Sequence, residues 1–272
     1  MSVRLTVVGS VNVDFVARVD RLPRAGETVT DAALSRIPGG KGANQAVAAA
    51  RLGAEVELIA CVADDELADT AFTELRNAGV NLDRVKRVHG TTGVALIAVD
   101  ASGENSIVVA PGANLELRPD DLDLGETDAV LCQLEIPLET VERASELAPD
   151  GFFLNAAPAR PGYPAADVTI VNRFEVETLP QRDGVVVTTL GAEGAVLHED
   201  GVEVARASSP HVQAVDGTGA GDAFTACFVV SVLEGRPYEE ALRRACVAGA
   251  LAATTLGAQT SMPTAAEVDA LM

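Results

Sequence analysis

Apolar runs of strand length recur along the chain at intervals long enough to hold a helix: LTVVGSVNV (5–13), VELIACVA (56–63), DAVLCQLE (128–135), GFFLNAA (151–157), VTIVN (168–172) and GVVVTTL (184–190). Runs this continuously apolar read as strands buried on both faces. Their alternation with helix-length segments predicts an α/β chain with a mainly parallel central sheet covered on either side. The intervening segments carry helix stops. GANQAVAAARLG ends at Gly53, DELADTAFTELRNAG at Gly79 and AGDAFTACFVVSVLEG at Gly235, each glycine standing where a left-handed residue closes a helix.

Two regions leave this rhythm for alternating patterns, residues 12–37 and 91–110. In the second, TTGVALIAVD and SIVVAPG flank the turn ASGEN and predict a hairpin; together the two regions predict a small separate sheet. A further hairpin around Asp200-Gly201 reads as structural. No internal repeat or low-complexity linker interrupts the 272 residues, so a single domain over 1–272 is expected.

Apolar residues make up 48% of the chain, enough for a large core. No run approaches the ~18–20 uninterrupted apolar residues of a membrane span. The N-terminal residues run into a strand with no secretory pattern, so a cytoplasmic location is expected. Cys61, Cys132, Cys227 and Cys246 sit singly in apolar runs, without metal-ligand spacing, and read as reduced core thiols. The formal net charge is −20, which repels nucleic acid and anionic membranes and leaves a small molecule as the expected partner. Lys41 and Lys86 are the only lysines, and the acidic residues are spread along the chain. That pattern suits a high-salt interior.

The segment VQAVDGTGAGDAFTACFVV (212–230) is a glycine-rich turn running straight into a helix with Phe224, Cys227 and Phe228 at core spacing. Amides at a helix start favour an anion, so Gly219, Ala220 and Gly221 are placed to hold charge building on a transferring phosphoryl group. A carboxylate beside that charge would repel a merely bound phosphate, but Asp222 is well placed to take a proton from an attacking hydroxyl. An ordinary βα turn with Asp222 as a first-turn acid would give the same string. However, neither the dinucleotide fingerprint nor the P-loop occurs to explain the glycines. In IPGGKGANQAVAAARLGAEV (37–56), adjacent glycines admit a ligand to the backbone, and Lys41 and Asn44 supply donors suited to polyol hydroxyls. Asn12, Asp14, Glu135, Asn172 and Glu175 lie near strand ends, where α/β ligands bind; a cap or turn role is the competing reading for each. His89, His198 and His211 have no evident partner and receive no role.

These residues resemble the ribokinase family of carbohydrate kinases nearly end to end, through GSVNVD, PRAGETV, GGKGANQAVAAARLGA, TGVALI, the GEN turn, PGAN, QLEIPLE, LNAAPAR, VQAVDGTGAGDAF and GAQTSMP. The resemblance implies a three-layer α/β/α fold with a small β-sheet lid, formed here by about 12–37 and 91–110, that closes over a sugar and often pairs between subunits as a homodimer. It implies transfer of the γ-phosphate of ATP to a sugar hydroxyl. Asn12, Asp14, Gly40, Lys41, Asn44 and Glu135 would bind the sugar, Asp222 would be the base, and the amides from Gly219 to Asp222 the anion hole. Asn172 and Glu175 match an N-x-x-E element that organises Mg²⁺ and phosphates through water, and Thr189 and Gly191 fall in a nucleotide-binding T-L-G turn. Asp216, Thr218, Ala252, Gly257 and Ser261 match a loop that holds an activating K⁺. The strings GGKGAN and QLEIPLE favour ribose.

The chain departs from the family pattern in a short stretch between Glu175 and Val185, in Arg173 where a carboxylate is common, and in Thr255 where a basic residue is common. Another sugar or nucleoside kinase of the family is the nearest alternative. A non-catalytic sugar-binding regulator and a nucleotide-binding oxidoreductase are alternatives of other classes, disfavoured by the retained Asp222 and its glycines and by the missing dinucleotide fingerprint.

Overall fold

In the computed structural model, which describes residues 2–101, 103–149, 151–179 and 184–272, the apolar runs assemble into one nine-stranded sheet. Its strands are β1 (Arg4–Val8), β4 (Glu55–Ala63), β5 (Val85–Val88), β8 (Ala129–Gln133), β9 (Phe152–Asn155), β10 (Val168–Asn172), β11 (Val185–Thr189), β12 (Ala195–Glu199) and β13 (Val202–Ala207). They lie in the order β13-β12-β11-β10-β9-β8-β1-β4-β5. From β5 to β11 all neighbours pair in parallel. β12 and β13 add an antiparallel edge through the Asp200-Gly201 turn, where φ is 49° and 79°, the left-handed pair that a two-residue hairpin needs.

Alternation along the strands splits the core into two layers. In β4, Val56, Leu58, Ala60 and Val62 face the helices α1 (Lys41–Arg51), α5 (Ala220–Leu233) and α6 (Tyr238–Ala252). Ile59, Cys61 and Ala63 face the opposite layer, which includes α4 (Leu138–Leu147). α2 (Glu66–Ala71), α3 (Thr73–Asn77) and α7 (Ala265–Asp269) complete the helices. The segment DELADTAFTELRNAG is thus two short helices rather than one, joined at Phe72. The four cysteines are buried free thiols, and burial pushes Cys61 and Cys227 up to about 11 and Cys246 to about 12. No helix among the described residues is long and apolar enough to cross a membrane.

The run 5–13 is not one strand. It breaks after Val8 because α1 packs directly on the backbone there: a Cβ on Gly42 would lie 2.5 Å from Ser10 N and 2.7 Å from Gly9 Cα. Beyond the break, β2 (Asn12–Arg18) joins a second, four-stranded sheet with β3 (Ala33–Gly39), β6 (Gly93–Val99) and β7 (Asn105–Ala110), in the order β3-β2-β6-β7. Apart from the parallel β2–β6 pair, its pairings are antiparallel. One face carries Asn12 and Asp14 in register with Gly39 and Ile37. The other carries the exposed Leu34, Leu96 and Val108.

Candidate functional site

The turn before α5 ends at Gly219, the N-cap, with φ 79°. A Cβ there would come within 2.9 Å of Ala258 Cα, so only glycine lets the loop after α6 lie against the helix start. The first i→i−4 bond of α5 runs from Ala223 N–H to Gly219 O at 2.9 Å, leaving the preceding amides outside the helical ladder. The Ala220 amide is taken back by Gly217 O at 3.2 Å. Of the amides expected to hold an anion, Ala220 therefore has a backbone partner within its own turn.

Asp222 is not an ordinary first-turn acid. The residue is buried at 6% exposure, and another helix supplies a donor to each carboxylate oxygen: Asn44 Nδ2 donates to Oδ2 at 2.8 Å and Gln45 Nε2 to Oδ1 at 2.9 Å. Both donors stand near the N-terminal end of α1, so the two glycine-rich strings of the sequence converge on this carboxylate.

Lys41, at the start of α1, lies among Asp222, Glu135 and Glu175; burial alone would lower its pKa, but these carboxylates outweigh it and raise it. Glu135 Oε2 accepts from the Lys41 amide at 3.0 Å and from Ser10 Oγ at 2.5 Å. It thereby caps α1, whose N-cap Gly40 has no side chain to do so. Asp14 lies against Gly39, where a Cβ would sit 2.4 Å from both carboxylate oxygens. Burial, then Glu135, then Asp222 push its carboxyl up to about 7. Asn12 is held by Asn114, whose Nδ2 donates to Asn12 Oδ1 at 2.8 Å.

Beside the α5 N-terminus lies a polar cavity of about 220 Å³ lined by Lys41, Asn172, Glu175, Thr189, Gly219 and Asp222 among others. A more apolar cavity of about 390 Å³ adjoins it, reaching over Gly191, His211, Phe224, Cys246 and Gly249. The two share Thr189, Gly217 and Gly221. Asn172 Oδ1 accepts from the amides of Phe174 and Glu175 at 2.8 and 2.9 Å, and Glu175 Oε2 from the Asn172 amide at 2.8 Å. The N-x-x-E element is therefore a self-closed turn as well as part of the cavity wall. Arg173 crosses to the T-L-G turn, donating to Leu190 O and, at 3.0 Å, to Glu193. Of the shortened stretch after Glu175, residues 180–183 lie outside the described residues.

The five residues expected around a monovalent cation fall on two loops that touch. Asp216 Oδ2 accepts from Gly257 N at 3.0 Å, Oδ1 from Thr218 Oγ1 at 2.6 Å, and the Val215 and Asp216 amides both donate to Ala253 O. Ser261 Oγ donates to Ala258 O at 2.8 Å, and Ala252 closes α6 beside them. A carboxylate among backbone and hydroxyl oxygens is a donor set suited to a hard cation.

Three buried amides without a sequence signal complete the site: Gln45, Gln133 and Asn155. Gln45 reaches Gln133 and Asn155 across 88 and 110 positions, and polar residues inside apolar strings read only as interruptions of the pattern. His211, given no role from sequence, lines the apolar cavity.

The sequence profile described as pfkB family carbohydrate kinase matches residues 3–265. The chain is 39% identical to the ribokinase of Bacillus subtilis, covering 98% of this chain and 99% of that protein. It is 35% identical to the deoxyribokinase of Salmonella typhimurium, covering 95% of each. Among solved structures, Arabidopsis thaliana ribokinase complexed with ribose and ATP superposes with a TM-score of 0.86 at 31% identity, covering 100% of this chain and 99% of that one.

Proposed function

Because the chain belongs to the pfkB family of carbohydrate kinases, phosphotransferases with an alcohol group as acceptor, we propose that it moves the γ-phosphate of ATP to D-ribose, giving D-ribose 5-phosphate and ADP. The observation that carries this reading is the pair of adjoining cavities meeting at the α5 N-terminus over Gly217 and Gly221, with Asp222 in the wall of the polar one. The polar one suits a sugar hydroxyl and phosphate, and the apolar one a nucleoside.

In this reading Asn12, Asp14, Gly40, Lys41, Asn44 and Glu135 hold the sugar from α1 and the small sheet. Asp222 accepts the proton of its primary hydroxyl as that oxygen attacks, and the amides of Gly219, Gly221 and Asp222 face the charge developing on the transferred group. Lys41 adds a fixed positive charge beside Asp222 and Glu175. Thr189 and Gly191, with Asn172, border the nucleotide. Glu175 and Asn172 fit a site that holds Mg²⁺ largely through water and phosphate oxygens, where it would offset phosphate charge. The Asp216 loop fits K⁺. Since the loop after α6, which Asp216 holds through Gly257, packs on Gly219 through Ala258, it sets the position of the helix start.

The four-stranded sheet acts as a lid that excludes water from the transfer, and its exposed Leu34, Leu96 and Val108 support pairing of two copies through it. The charge of −20 supports a small-molecule partner over nucleic acid or an anionic membrane and an acidic surface adapted to high salt; a cytoplasmic location is part of the same reading.

The test is ADP release with ATP, Mg²⁺ and KCl across ribose, deoxyribose, fructose, 2-keto-3-deoxygluconate and nucleosides. Ribose-selective turnover is expected. Preference for deoxyribose or another panel member would move the substrate while keeping the base and anion hole, and no turnover on any would favour a binding protein.

A further inference from the structure

We propose that Gln45 is a positioning residue that orients the Asp222 carboxylate, an inference that rests on the reading of Asp222 as the base.

Gln45 is fully buried at 0% exposure, and its side-chain amide is taken up by protein partners on both its nitrogen and its oxygen, so it is not placed as a substrate ligand. Its Nε2 donates to Asp222 Oδ1 and to Asn155 Oδ1, both at 2.9 Å. Its Oε1 accepts from Gln133 Nε2 at 2.7 Å. The direction of this chain is set by the sheet. Asn155 Nδ2 donates to Ile170 O on β10 at 3.1 Å, which turns the Asn155 oxygen toward Gln45. Flipping the Gln45 amide would set its oxygen against two other oxygens, those of Asp222 and Asn155, and its donors against the donors of Gln133. One orientation is therefore enforced.

The consequence falls on Asp222. An aspartate carboxyl rotates about a broad, two-fold torsion, and a base must keep a lone pair aimed at the hydroxyl it deprotonates. Consecutive residues of α1 hold one oxygen each, Asn44 on Oδ2 and Gln45 on Oδ1, which fixes the plane of the carboxylate. In the proposed reading Asn44 also contacts the sugar, so its hold is shared with substrate. Gln45 is anchored to β8 and β9 and keeps its hold throughout turnover.

The network also carries a cost that packing alone would not keep. Gln133 is buried at 0% exposure and its Oε1 has no hydrogen-bond partner among the described residues. The backbone makes room for it: a Cβ on Gly9 would lie 2.1 Å from that oxygen. Apolar side chains would fill the same space without the unsatisfied group.

The experiment is a double-mutant cycle of Gln45→Met, which nearly conserves volume and removes the donor, with Asp222→Asn. For Gln45→Met we expect kcat to fall ~10- to 100-fold while the sugar KM moves less than ~3-fold. Added to Asp222→Asn, the same change should alter the residual turnover less than ~2-fold, because residues acting as a unit are not additive. Unchanged kcat in Gln45→Met, or losses that multiply in the double variant, would overturn the inference. Should Gln45→Met not fold, Gln133→Met removes the anchor without touching Asp222 and should give a smaller fall of the same kind; no fall in kcat would again overturn it. Failure of the underlying reading is recognised separately, by an Asp222→Asn single variant that keeps more than a tenth of wild-type turnover.

Discussion

Asn44 and Asp222, 178 positions apart, meet through a 2.8 Å hydrogen bond from the Asn44 amide to the buried Asp222 carboxylate. The bond joins the N-terminal ends of α1 and α5, so the residues expected to hold the sugar and the residue expected to activate it belong to one rigid unit. In this arrangement Asp222→Asn keeps the shape of the junction and removes the base. Turnover should fall by ~10²–10⁴, while sugar binding measured calorimetrically without ATP should persist. Loss of both together would mean that Asp222 serves mainly to hold the pocket.

The glycines around this unit divide into two kinds. Gly42 is closed in by backbone, since a Cβ would lie 2.5 Å from Ser10 N and 2.6 Å from Gly9 C, whereas nothing lies within 4 Å of a Cβ on Gly221. Gly42→Ala should therefore destabilise the protein by ~1–3 kcal/mol, read as a lowered denaturation midpoint. Gly221→Ala should fold as well as wild type, because the helix accepts alanine readily. Its methyl enters the junction of the two cavities, so its defect should appear in kcat and the ATP KM. Equal stability losses in the two variants would contradict this division.

The contrast also marks what is legible in the sequence. Gly53, Gly79 and Gly235 end their helices in left-handed conformation, with φ of 99°, 77° and 79°, as the strings alone suggest, since a helix stop is a local property. The glycine-rich turn before Asp222 is likewise contiguous and readable. The break after Val8 is not, because it depends on the approach of α1 to Gly9 and Ser10. Nor is Gln45, whose partners lie on strands far along the chain, nor Asn114, which anchors Asn12 from 102 positions away. Buried polar networks arise from tertiary pairing and leave no period in the sequence.

Asp14 makes stability depend on pH. Burial first, then Glu135 and Asp222, raise its carboxyl from 3.8 to about 7. The folded state therefore binds this proton more tightly than the unfolded chain. Its contribution to stability is fully present below about pH 4 and is lost as pH rises toward 7. Asp14→Asn, which cannot ionise, should denature at higher temperature than wild type at pH 8 and nearly alike at pH 4. A difference independent of pH would show that Asp14 carries its charge at no cost.

The outward face of the small sheet tests the pairing of two copies. Leu96 and Val108 lie opposite each other across β6 and β7 and are 53% and 63% exposed. Charges there would be desolvated in any dimer built on this face. Leu96→Asp with Val108→Asp should convert a dimer to a monomer in sedimentation. A dimer that survives both changes would be built elsewhere.

Salt separates two effects of potassium. With 40 acidic against 20 basic residues, the folded surface repels itself, and screening should relieve that repulsion as the Debye length shrinks from ~10 Å at 0.1 M salt to ~3 Å at 1 M. Surface ion pairs such as Arg4–Asp128, with both side chains 41% exposed, weaken in the same range but contribute little, so relief should win. Thermal midpoints should rise with KCl and NaCl alike, and midpoints flat in both salts would remove the high-salt reading. Activity should behave differently, because the Asp216 loop offers a specific oxygen set behind Gly219. At fixed ionic strength, replacing Na⁺ by K⁺ should raise kcat while leaving the midpoint nearly unchanged. Equal kcat in the two salts would leave screening as the whole effect of potassium and remove the cation from the proposed site.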